Sequence, residues 1–407
     1  MENLPIKILN LLEKLNKEDF IKELKKYSKI YLVGGFVRDS FRNEDPKDID
    51  LVIEGISLPK IKNLLSKYGE SDIVGESFSV IKFRPNRWDE IIDIALPRVD
   101  RKIGEGHKGF EVISNEKISI EQDLKRRDLT INSFCINIST GEIIDPFNGL
   151  IDLKWKILRA TDTSAFSEDP LRILRTIGFS SRFGYKIDLT TMELMRENSH
   201  LIKGISGERI MDELMKIIKK DGNTQIALNL IHETEVDVAL FDKKMLVYKE
   251  GFEQLDAISF FYLLGLLGDV DPADFVKTRL KGELRLEKDI RNLDKMFSEL
   301  PRIHEEEDLK FMLSKIFSES PALMDAIIIP DEVDDIVLQM RLAKIPKSLK
   351  NVMVNGDDVL TISQNKLQGK EVGKVLDRVL RDALMNRFNW KDRRESMEHL
   401  ARIIYAS

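Results

Sequence analysis

The sequence predicts an α+β fold, in which a small mixed α/β head is followed by a long all-α region. Between about Lys29 and Asn137, short runs rich in β-branched and aromatic residues alternate with helical patterns, whereas beyond Leu150 helical periodicity dominates. A chain of 407 residues suits about two to four domains. We predict four, with the boundaries 1–150 (head), 151–220, 221–310 and 311–407 (all helical).

Hydrophobic periodicity places the individual elements. The predicted strands are Ile30–Val33, Asp50–Ile53, Phe78–Phe83, Ile91–Leu96 and Thr130–Ile138. Helices are predicted between some of these strands, at Phe36–Arg42 and Leu58–Tyr68. The later predicted helices are Pro170–Phe183, Thr191–Leu201, Gly207–Lys219, Thr224–Ile231, Gly251–Leu267 and Lys288–Leu300, and Asp308–Ser407 also has helical periodicity.

Composition excludes several classes of protein. Charged residues make up 33% and hydrophobic residues 42%, as in ordinary globular proteins, and the net charge is −6. A nucleic-acid partner would therefore require a local patch of Lys and Arg. The single cysteine, Cys135, excludes an internal disulfide and a Cys-based zinc cluster, and it suits a reducing cytoplasm. We expect neither a membrane span nor a secretory signal, because no apolar run is long enough.

The most informative segment runs from Ile30 to Glu54. In it, a β-rich run ends in Gly34-Gly35, and a predicted helix bearing Arg38 follows. Glycine lets the backbone approach a phosphate closely, and free N–H groups at a helix start favour anions. Arg38 can add a bidentate phosphate contact. A plain strand–turn–helix connection would have the same pattern, and the chain contains no GxxxxGK[ST] run, so it has no P-loop.

Two aspartates follow at the start of the second strand. If that strand begins with Asp48-Ile49-Asp50, both carboxylates point to one face. Aspartate is disfavoured in strands, and two like charges on one face repel unless a cation lies between them. Mg²⁺ takes one or two carboxylates together with substrate phosphates and waters. Asp93, in a later strand, is a candidate third ligand or an ordinary exposed strand residue.

Two further charged strings are candidates for contacts with a nucleotide. In Lys125-Arg126-Arg127-Asp128, either the whole string is a solvated turn, or Arg127 binds phosphate and Asp128 accepts from a ribose hydroxyl. In the second string, Ser167 or Asp169 can cap a helix that has Pro170 in its first turn.

Asp169, Arg172 and Arg175 are spaced by three residues and would share one face of that helix. They could form a salt bridge within the helix. Alternatively, the acceptors of Asp169 and the donors of Arg172 could match the Watson–Crick edge of a base, so that side chains would select a nucleotide without a template.

Taken in order, these strings resemble the class II tRNA nucleotidyltransferases, the bacterial-type CCA-adding enzymes, and the related bacterial poly(A) polymerases. The resemblance lies in LVGGFVRD, DID, KRRDLTIN, EIIDPFNGLIDL, FSEDPLRILRTIGFSSRFGY and ISGERIMDEL, across roughly residues 30–220. A weaker similarity lies near the C-terminus, at Gly356-Asp357 and Gly369–Gly373. The resemblance implies a polymerase-β-like nucleotidyltransferase head, followed by a helical neck, body and tail that grip the acceptor arm and 3′ end of tRNA.

The resemblance also implies roles for individual residues. Asp48 and Asp50 would hold catalytic Mg²⁺, and Asp93 would orient the primer hydroxyl. The residues expected to bind the nucleotide are Gly34, Gly35, Arg38, Arg127, Asp128, Asp169, Arg172 and Arg175. The substrates would be CTP and ATP, and no obligatory protein partner or membrane association is expected.

Two segments bear on how the family pattern applies to this chain. Relatives commonly carry an Arg three residues beyond Arg175, where this chain has Gly178, which weakens the inference about how the nucleotide pocket is completed. Between Pro97 and Ile118 we predict a long Gly-rich loop, a candidate mobile element. In the family, a flexible loop here accompanies the switch from C to A addition.

Three functions remain open from the sequence: CCA addition to tRNA, poly(A) synthesis or partial CC- or A-addition, and RNA binding without catalysis. The segment Arg378–Arg402 contains charges of both signs rather than the strongly basic tail of poly(A) polymerases, which favours CCA addition. The chain contains no His-Asp dipeptide, so we predict no second, phosphohydrolase activity.

Overall fold

The structure is a computed structural model that describes residues 4–74, 80–102, 110–220, 222–246, 252–299, 305–319, 345–346 and 348–406. The chain forms two compact units. One comprises Met1–Leu214 with Asn229–Lys243, and the other comprises Met215–Leu228 with Lys244–Ser407. The four domain boundaries given above stay predictions.

The described residues form eleven strands, all of which lie in the first half of the chain. They are β1 Lys29–Val33, β2 Ile49–Glu54, β3 Gly69–Val74, β4 Val80–Pro85, β5 Ile92–Ala95, β6 Arg98–Lys102, β7 Phe110–Ser114, β8 Cys135–Asn137, β9 Ile143–Ile144, β10 Ile157–Leu158 and β11 Lys186–Ile187. The main sheet has seven strands in the order β3-β4-β5-β2-β1-β8-β9. Of its pairs, β2 and β5 are parallel and the others are antiparallel, so the sheet is mixed.

The register of this sheet aligns one row of residues across five strands. Asp72 of β3 is opposite Lys82 of β4, Lys82 is opposite Asp93 of β5, and Asp93 is opposite Asp50 of β2. Asp50 is in turn opposite Val33, the last residue of β1. Because side chains opposite each other in register share a face, Asp50 and Asp93 lie next to each other beside the end of β1.

Helices account for most of the remaining described residues of the first unit. In chain order they are α1 Ile6–Lys17, α2 Asp19–Lys25, α3 Gly34–Phe41, α4 Leu58–Leu65, α5 Ile120–Lys125, α6 Gly149–Trp155, α7 Ala165–Glu168, α8 Leu171–Phe183, α9 Leu189–Asn198, α10 Gly207–Lys219, α11 Thr224–Glu233 and α12 Val236–Phe241. α10 and α11 each continue across a boundary between the two units.

The larger hydrophobic core of the first unit lies on one face of the sheet, and a smaller buried cluster that includes Tyr31, Val33 and Val52 lies on the other. On β4, Ile81 and Phe83 are fully buried while Lys82 and Arg84 are exposed, which is the alternation of a sheet with one buried face. The apolar stripe of α1, which includes Leu12 and Leu15, packs into the same core. The core holds the sheet rigid beneath the row that contains Asp50 and Asp93.

The described residues of the second unit form helices joined by loops, with no strand among them. After the parts of α10 and α11 that it contains, its helices are α13 Ala257–Leu267, α14 Pro272–Asp274, α15 Leu284–Glu299, α16 Glu306–Glu319, α17 Gly356–Ile362, α18 Lys370–Leu384 and α19 Arg393–Ala406. Asp256 caps α13 by accepting from Ser259 N–H. Near the C-terminus, buried Asp382 accepts from Arg387 and contacts His399, which ties α18 to α19.

The prediction of a mixed head and a helical remainder is confirmed, and several local predictions are wrong. Thr130–Ile138 is not one strand, because Thr130–Asn132 form a 3₁₀ turn and β8 begins only at Cys135. In that turn, the Thr130 hydroxyl donates to Asp152 and the Ser133 hydroxyl donates to the Leu129 carbonyl. Side-chain hydrogen bonds of this kind compete with a strand ladder.

Other differences concern where elements begin. β2 begins at Ile49, so Asp48 precedes the strand and is exposed. The predicted loop Pro97–Ile118 contains the antiparallel pair β6 and β7, and its residues 103–109 lie outside the described residues. We also missed β3, whose exposed Asp72 and Glu70 do not have the composition of a strand.

Two helix starts also differ from the prediction. α8 begins at Leu171 after Pro170, with no side chain capping it, so neither Ser167 nor Asp169 has the predicted capping role. α13 begins at Ala257 rather than at residue 251, which lies outside the described residues. Among the described helices, none is both long and apolar enough to cross a membrane.

Candidate nucleotide-binding and catalytic site

Asp50 and Asp93 lie side by side on neighbouring parallel strands, each partly exposed. The pKa of Asp50 is raised to about 6. Burial is the main cause and the negative charges of Asp93 and Asp48 contribute, while the positive charges of Arg127 and Lys82 oppose the shift. Lys82 donates to both carboxylate oxygens of Asp93, at 3.0 and 3.1 Å. Asp50 is thus a carboxylate whose negative charge is poorly compensated by the protein.

The turn after β1 lies directly against this carboxylate. Gly34 has a φ of +75°, and a Cβ built at this position would lie 2.8 Å from the Asp50 Oδ2 atom. A side chain at residue 34 would therefore clash with Asp50 and would also strain the backbone. Because α3 begins at Gly34, its unpaired N–H groups and the carboxylates lie at the same end of the helix. This arrangement places an anion-binding helix start beside candidate metal ligands.

Arg38 lies one turn into α3 and is buried. Its Nε and Nη2 atoms each donate to Asp39 at 2.8 Å, and its Nη1 atom donates to the Asn132 Oδ1 atom at 2.7 Å. These three hydrogen bonds fix the plane of the guanidinium. Arg38 borders the same cavity as Gly34 and Gly35, where the sequence predicts a phosphate contact.

Asp123 organises the two arginines of the KRRD string. This fully buried carboxylate accepts from Arg126 at 2.7 Å and 3.0 Å through one oxygen, and from Arg127 at 3.0 Å through the other. Burial raises the pKa of Asp123, but Arg127 and Arg126 outweigh that effect, so the pKa is lowered overall. Asp123 therefore stays ionised and orients both guanidinium groups.

The Asp128 carboxylate joins the head to α8. One oxygen accepts from Asn132 and the other accepts from Arg175 Nε, both at 2.9 Å. Burial raises the pKa of Asp128, but the charge of Arg175 and these hydrogen bonds outweigh that effect, so the pKa is lowered overall. Arg175 also lies 3.9 Å from Glu213 of α10. Asp128 thus supports Arg175 directly, and its contact with ribose stays a prediction.

The remaining predicted base-selecting residues are anchored from other elements. Arg172 is buried and donates to the Arg126 carbonyl at 2.7 Å. Asp169, which precedes α8, forms an ion pair with Arg209 of α10 at 3.5 Å. The Arg209 Nη1 atom is buried and has no hydrogen-bond partner among the described residues. These contacts leave a donor of Arg209 available to a ligand beside Asp169.

A single cavity of about 940 Å³ joins these groups. It is lined by Gly34, Gly35, Arg38, Arg98, Arg126, Arg127, Asp128, Asn132, Glu168, Asp169, Leu171, Arg172, Arg175, Phe179, Arg209 and Glu213. Seven of these residues are arginines and four are carboxylates, so the cavity suits an anionic ligand. Its volume lies near the upper end of the range for small-molecule sites. Asp50 is not part of the lining and lies immediately behind Gly34.

The structure therefore brings together eight of the predicted nucleotide-binding residues in one cavity. These are Gly34, Gly35, Arg38, Arg127, Asp128, Asp169, Arg172 and Arg175. Of the predicted catalytic residues, Asp50 and Asp93 are paired, and exposed Asp48 is close enough to raise the pKa of Asp50. Predicting the site residues from sequence missed Asp123, Asn132, Arg209 and Glu213. Arg209 and Glu213 fall within the ISGERIMDEL string, whose similarity to relatives could have indicated them.

The donors at this edge of the sheet are chemically suitable for a hard divalent cation. They are carboxylate oxygens, and the pKa of Asp50 is raised first by burial and then by the charges of Asp93 and Asp48, so a cation at this position would stabilise the ionised carboxylate. Within the described residues, no group of three or more His, Cys, Asp or Glu side chains forms a metal cage. A cation here would therefore take only part of its coordination shell from Asp50 and its neighbours and the rest from substrate and water.

Comparison with known proteins agrees with this geometry. Residues 30–159 match the family model described as the poly A polymerase head domain, and residues 184–241 match the model described as a probable RNA- and SrmB-binding site of polymerase A. The chain is 40% identical over 209 residues to the multifunctional CCA protein of Psychromonas ingrahamii, covering 50% of this chain and 48% of the relative. It is 36% identical over 234 residues to the CCA-adding enzyme of Buchnera aphidicola, covering 56% and 53%. These alignments span about half the length of the curated relatives.

Solved structures match over nearly the whole chain. A CCA-adding enzyme in complex with ATP has a TM-score of 0.64 and 25% identity, covering 99% of this chain and 95% of that one. The Thermotoga maritima CCA-adding enzyme in complex with tRNA has a TM-score of 0.63 and 25% identity, covering 98% and 96%. The sheet that carries Asp50 and Asp93 thus lies in the segment that matches the poly A polymerase head domain, a nucleotidyltransferase head whose chemistry implies a divalent metal, and the chain as a whole is similar to CCA-adding enzymes.

Proposed function

We propose that this protein adds C, C and A to the 3′ end of tRNA without a template, using CTP and ATP and releasing pyrophosphate at each step. The observation that carries the proposal is one arginine-lined cavity that has the glycine turn and Arg38 near the carboxylates and has Asp169 and Arg172 among its other lining residues. A nucleoside triphosphate needs both parts, one for its phosphates and one for its base. Relatives of similar fold bind ATP, CTP and tRNA, which supports the same ligands here.

Different residues of the cavity bind the triphosphate and the base. Arg38 and Arg127 bind the triphosphate, held in place by Asp39 and Asp123 respectively. Asp169 and Arg172 contact the Watson–Crick edge of cytosine or adenine, and Arg175 and Arg209 support them. Hydrogen bonds to the base edge provide selectivity, since a wrong base leaves buried polar groups unpaired.

Asp48 and Asp50 would hold Mg²⁺, and Asp93 would orient the 3′-hydroxyl of the RNA. When bound, the metal activates that hydroxyl and stabilises the charge that develops on the leaving pyrophosphate. The pairing of Asp93 with Asp50, and the position of Gly34 directly against Asp50, support an attack on the triphosphate next to the glycine turn.

Residues beyond 150 would form the neck, body and tail that bind the acceptor arm of tRNA. The family model that matches residues 184–241, described as an RNA-binding site, supports this assignment. A tRNA substrate and a single buried cysteine, Cys135, suit a cytoplasmic enzyme.

Poly(A) synthesis is the second candidate function, because residues 30–159 match the head domain of poly A polymerases. Addition of only CC or only A would use the same cavity. A non-catalytic RNA-binding role is disfavoured, since Asp50 and Asp93 lie side by side at an energetic cost that a purely structural protein would not need.

One incubation separates these functions. The purified protein is given a tRNA that ends at the discriminator base, with Mg²⁺ and with CTP and ATP singly and together. Two additions with CTP alone, three with both nucleotides and then a stop would support CCA addition. Long A tails on an unrelated RNA would support poly(A) synthesis instead. No incorporation, with RNA binding retained, would leave only the RNA-binding function; an Asp50→Ala variant provides the inactive control.

A further inference from the structure

An aromatic pair on α8 lies among four arginines of the first unit. The rings of Phe179 and Phe183 are 5.4 Å apart. The Arg38 Cζ atom lies 5.3 Å from the Phe179 ring centroid and 5.2 Å from that of Phe183. Arg42 approaches Phe183 at 3.6 Å, and Arg182 lies over both rings, at 5.9 and 4.9 Å. All these distances are within the range of cation–π contacts.

The positive charge in this cluster exceeds the negative charge around it. Asp39 accepts from both Arg38 and Arg42. Arg182 has no carboxylate within ion-pair distance among the described residues, and burial together with Arg38 and Arg42 lowers its pKa. Glu44 also lies 3.8 Å from Arg42, so two carboxylates accompany the three arginines Arg38, Arg42 and Arg182. The electron-rich faces of Phe179 and Phe183 therefore provide attraction that these two carboxylates do not supply in full.

Phe179 differs from Phe183 because it also lines the cavity. Its ring centroid lies 5.3 Å from the Arg38 Cζ atom and 5.9 Å from the Arg175 Cζ atom, and both arginines line the same cavity. Arg38 belongs to α3 of the head, and Arg175 belongs to α8 and is fixed by Asp128. One ring therefore contacts both the arginine assigned to the triphosphate and an arginine that supports the base-selecting residues.

We propose that Phe179 is a positioning residue that holds Arg38 and Arg175 in register through the face of its ring, so that the triphosphate and the base of an incoming nucleotide are bound together. This inference rests on the proposed function. A leucine at this position would fill similar space, but it would remove the ring that Arg38 and Arg175 share and would leave Arg38 with Phe183 alone. The triphosphate and base contacts would then form less often in the same molecule.

The first experiment compares Phe179→Leu with Phe179→Tyr, using equilibrium binding of CTP and ATP to the full-length protein. We expect Phe179→Leu to weaken binding of both nucleotides about three- to thirtyfold, the range expected from cation–π contacts. The affinity for tRNA and the midpoint of thermal unfolding should stay near wild type. Phe179→Tyr retains the ring and should restore nucleotide binding; failure of Tyr to restore it would contradict the proposal.

The second experiment separates the ring's charge distribution from its shape. Residue 179 is replaced by phenylalanine analogues carrying one, two and five ring fluorines, which progressively weaken the negative face at nearly constant size. We expect CTP affinity to fall stepwise along the series. The matched control is the same series at Phe41, a partly buried ring on α3 whose ring contact is Phe134. No dependence on fluorine number at Phe179, or the same dependence at Phe41, would overturn the proposal.

The two proposals fail in distinguishable ways. If the wild-type protein binds neither CTP nor ATP and adds no nucleotide, the proposed function fails. If it adds C and A normally while the fluorinated series at Phe179 is flat, only the positioning role fails.

Discussion

Gly34 and Asp50 are so close that a Cβ at residue 34 would lie 2.8 Å from the Asp50 Oδ2 atom. The glycine turn that would receive phosphates and the carboxylate that would hold metal are therefore one packed unit. The neighbouring Gly35 has no such restriction, because the nearest atom to its Cβ position is Arg38 Nη2 at 3.6 Å.

The first prediction compares alanine at these two glycines. Gly34→Ala should destabilise the protein by about 1–3 kcal/mol, because it adds a Cβ at positive φ and displaces the Asp50 carboxylate. It should also lower kcat for nucleotide addition. Gly35→Ala is the matched control and should change the free energy of unfolding by under about 1 kcal/mol. Urea unfolding and single-turnover assays measure both; equal effects of the two substitutions would contradict the packing argument.

The second prediction concerns the pH dependence of stability. The pKa of Asp50 is about 6 in the folded protein and 3.8 in the unfolded chain, so the folded state binds the proton more tightly. Its ionisation therefore lowers stability progressively as pH rises from about 4 to about 6, and the loss is complete above that window. Asp50→Asn should stabilise the metal-free protein, with a gain about 1–2 kcal/mol larger at pH 7.5 than at pH 4.5.

This effect is measured by urea unfolding in the presence of EDTA at the two pH values. Asp89→Asn, at an exposed carboxylate of the head, is the control and should show no such difference. Excess Mg²⁺ should reduce the advantage of Asp50→Asn, because the cation stabilises only the ionised wild-type site. A gain that is the same at pH 4.5 and pH 7.5 would show that the Asp50 charge is not its cause.

The third prediction concerns buried Asp123. Asp123→Asn removes the charge that pairs with Arg126 and Arg127, and breaking such a buried pair costs about 3–5 kcal/mol. Freed from this carboxylate, the two arginines should also bind CTP and ATP more weakly. Glu121→Gln, at an exposed position of the same helix, should leave both properties unchanged. Wild-type stability and wild-type CTP affinity in Asp123→Asn would contradict the role of this carboxylate.

The fourth prediction tests base selection. Asp169→Ala should lower kcat/KM for CTP and ATP about tenfold or more, because the base edge and the Arg209 donors lose a partner. Discrimination against UTP and GTP should fall at the same time, while tRNA affinity is retained. Ser167→Ala provides the control, since the exposed Ser167 hydroxyl bonds only to the Ser164 carbonyl among the described residues. Unchanged discrimination in Asp169→Ala would exclude a contact with the base.

The fold class was predictable because it depends on local patterns. Alternating burial on β4, the glycine turn at Gly34 and the periodic apolar faces of α8 and α10 each leave a signature within about ten residues. The predicted strand Thr130–Ile138 was wrong because its structure depends on a distant contact. The Thr130 hydroxyl bonds to Asp152, 22 residues away, and no local pattern shows that partner.

The sequence by itself determined the kinds of chemical group at the site, because each kind occurs in a compact string whose spacing is set by one turn or helix. Only the tertiary structure decided how those groups are paired. Strand register places Asp93 beside Asp50. The folded chain also brings Arg126 and Arg127 to the same buried carboxylate, Asp123. Phe179 and Arg175 are four residues apart on α8, whereas Arg38 belongs to α3. The contact of Phe179 with Arg38 therefore depends on how the chain folds. Such pairings depend on burial and on contacts between distant segments, and these determine which charges must be compensated and by which group.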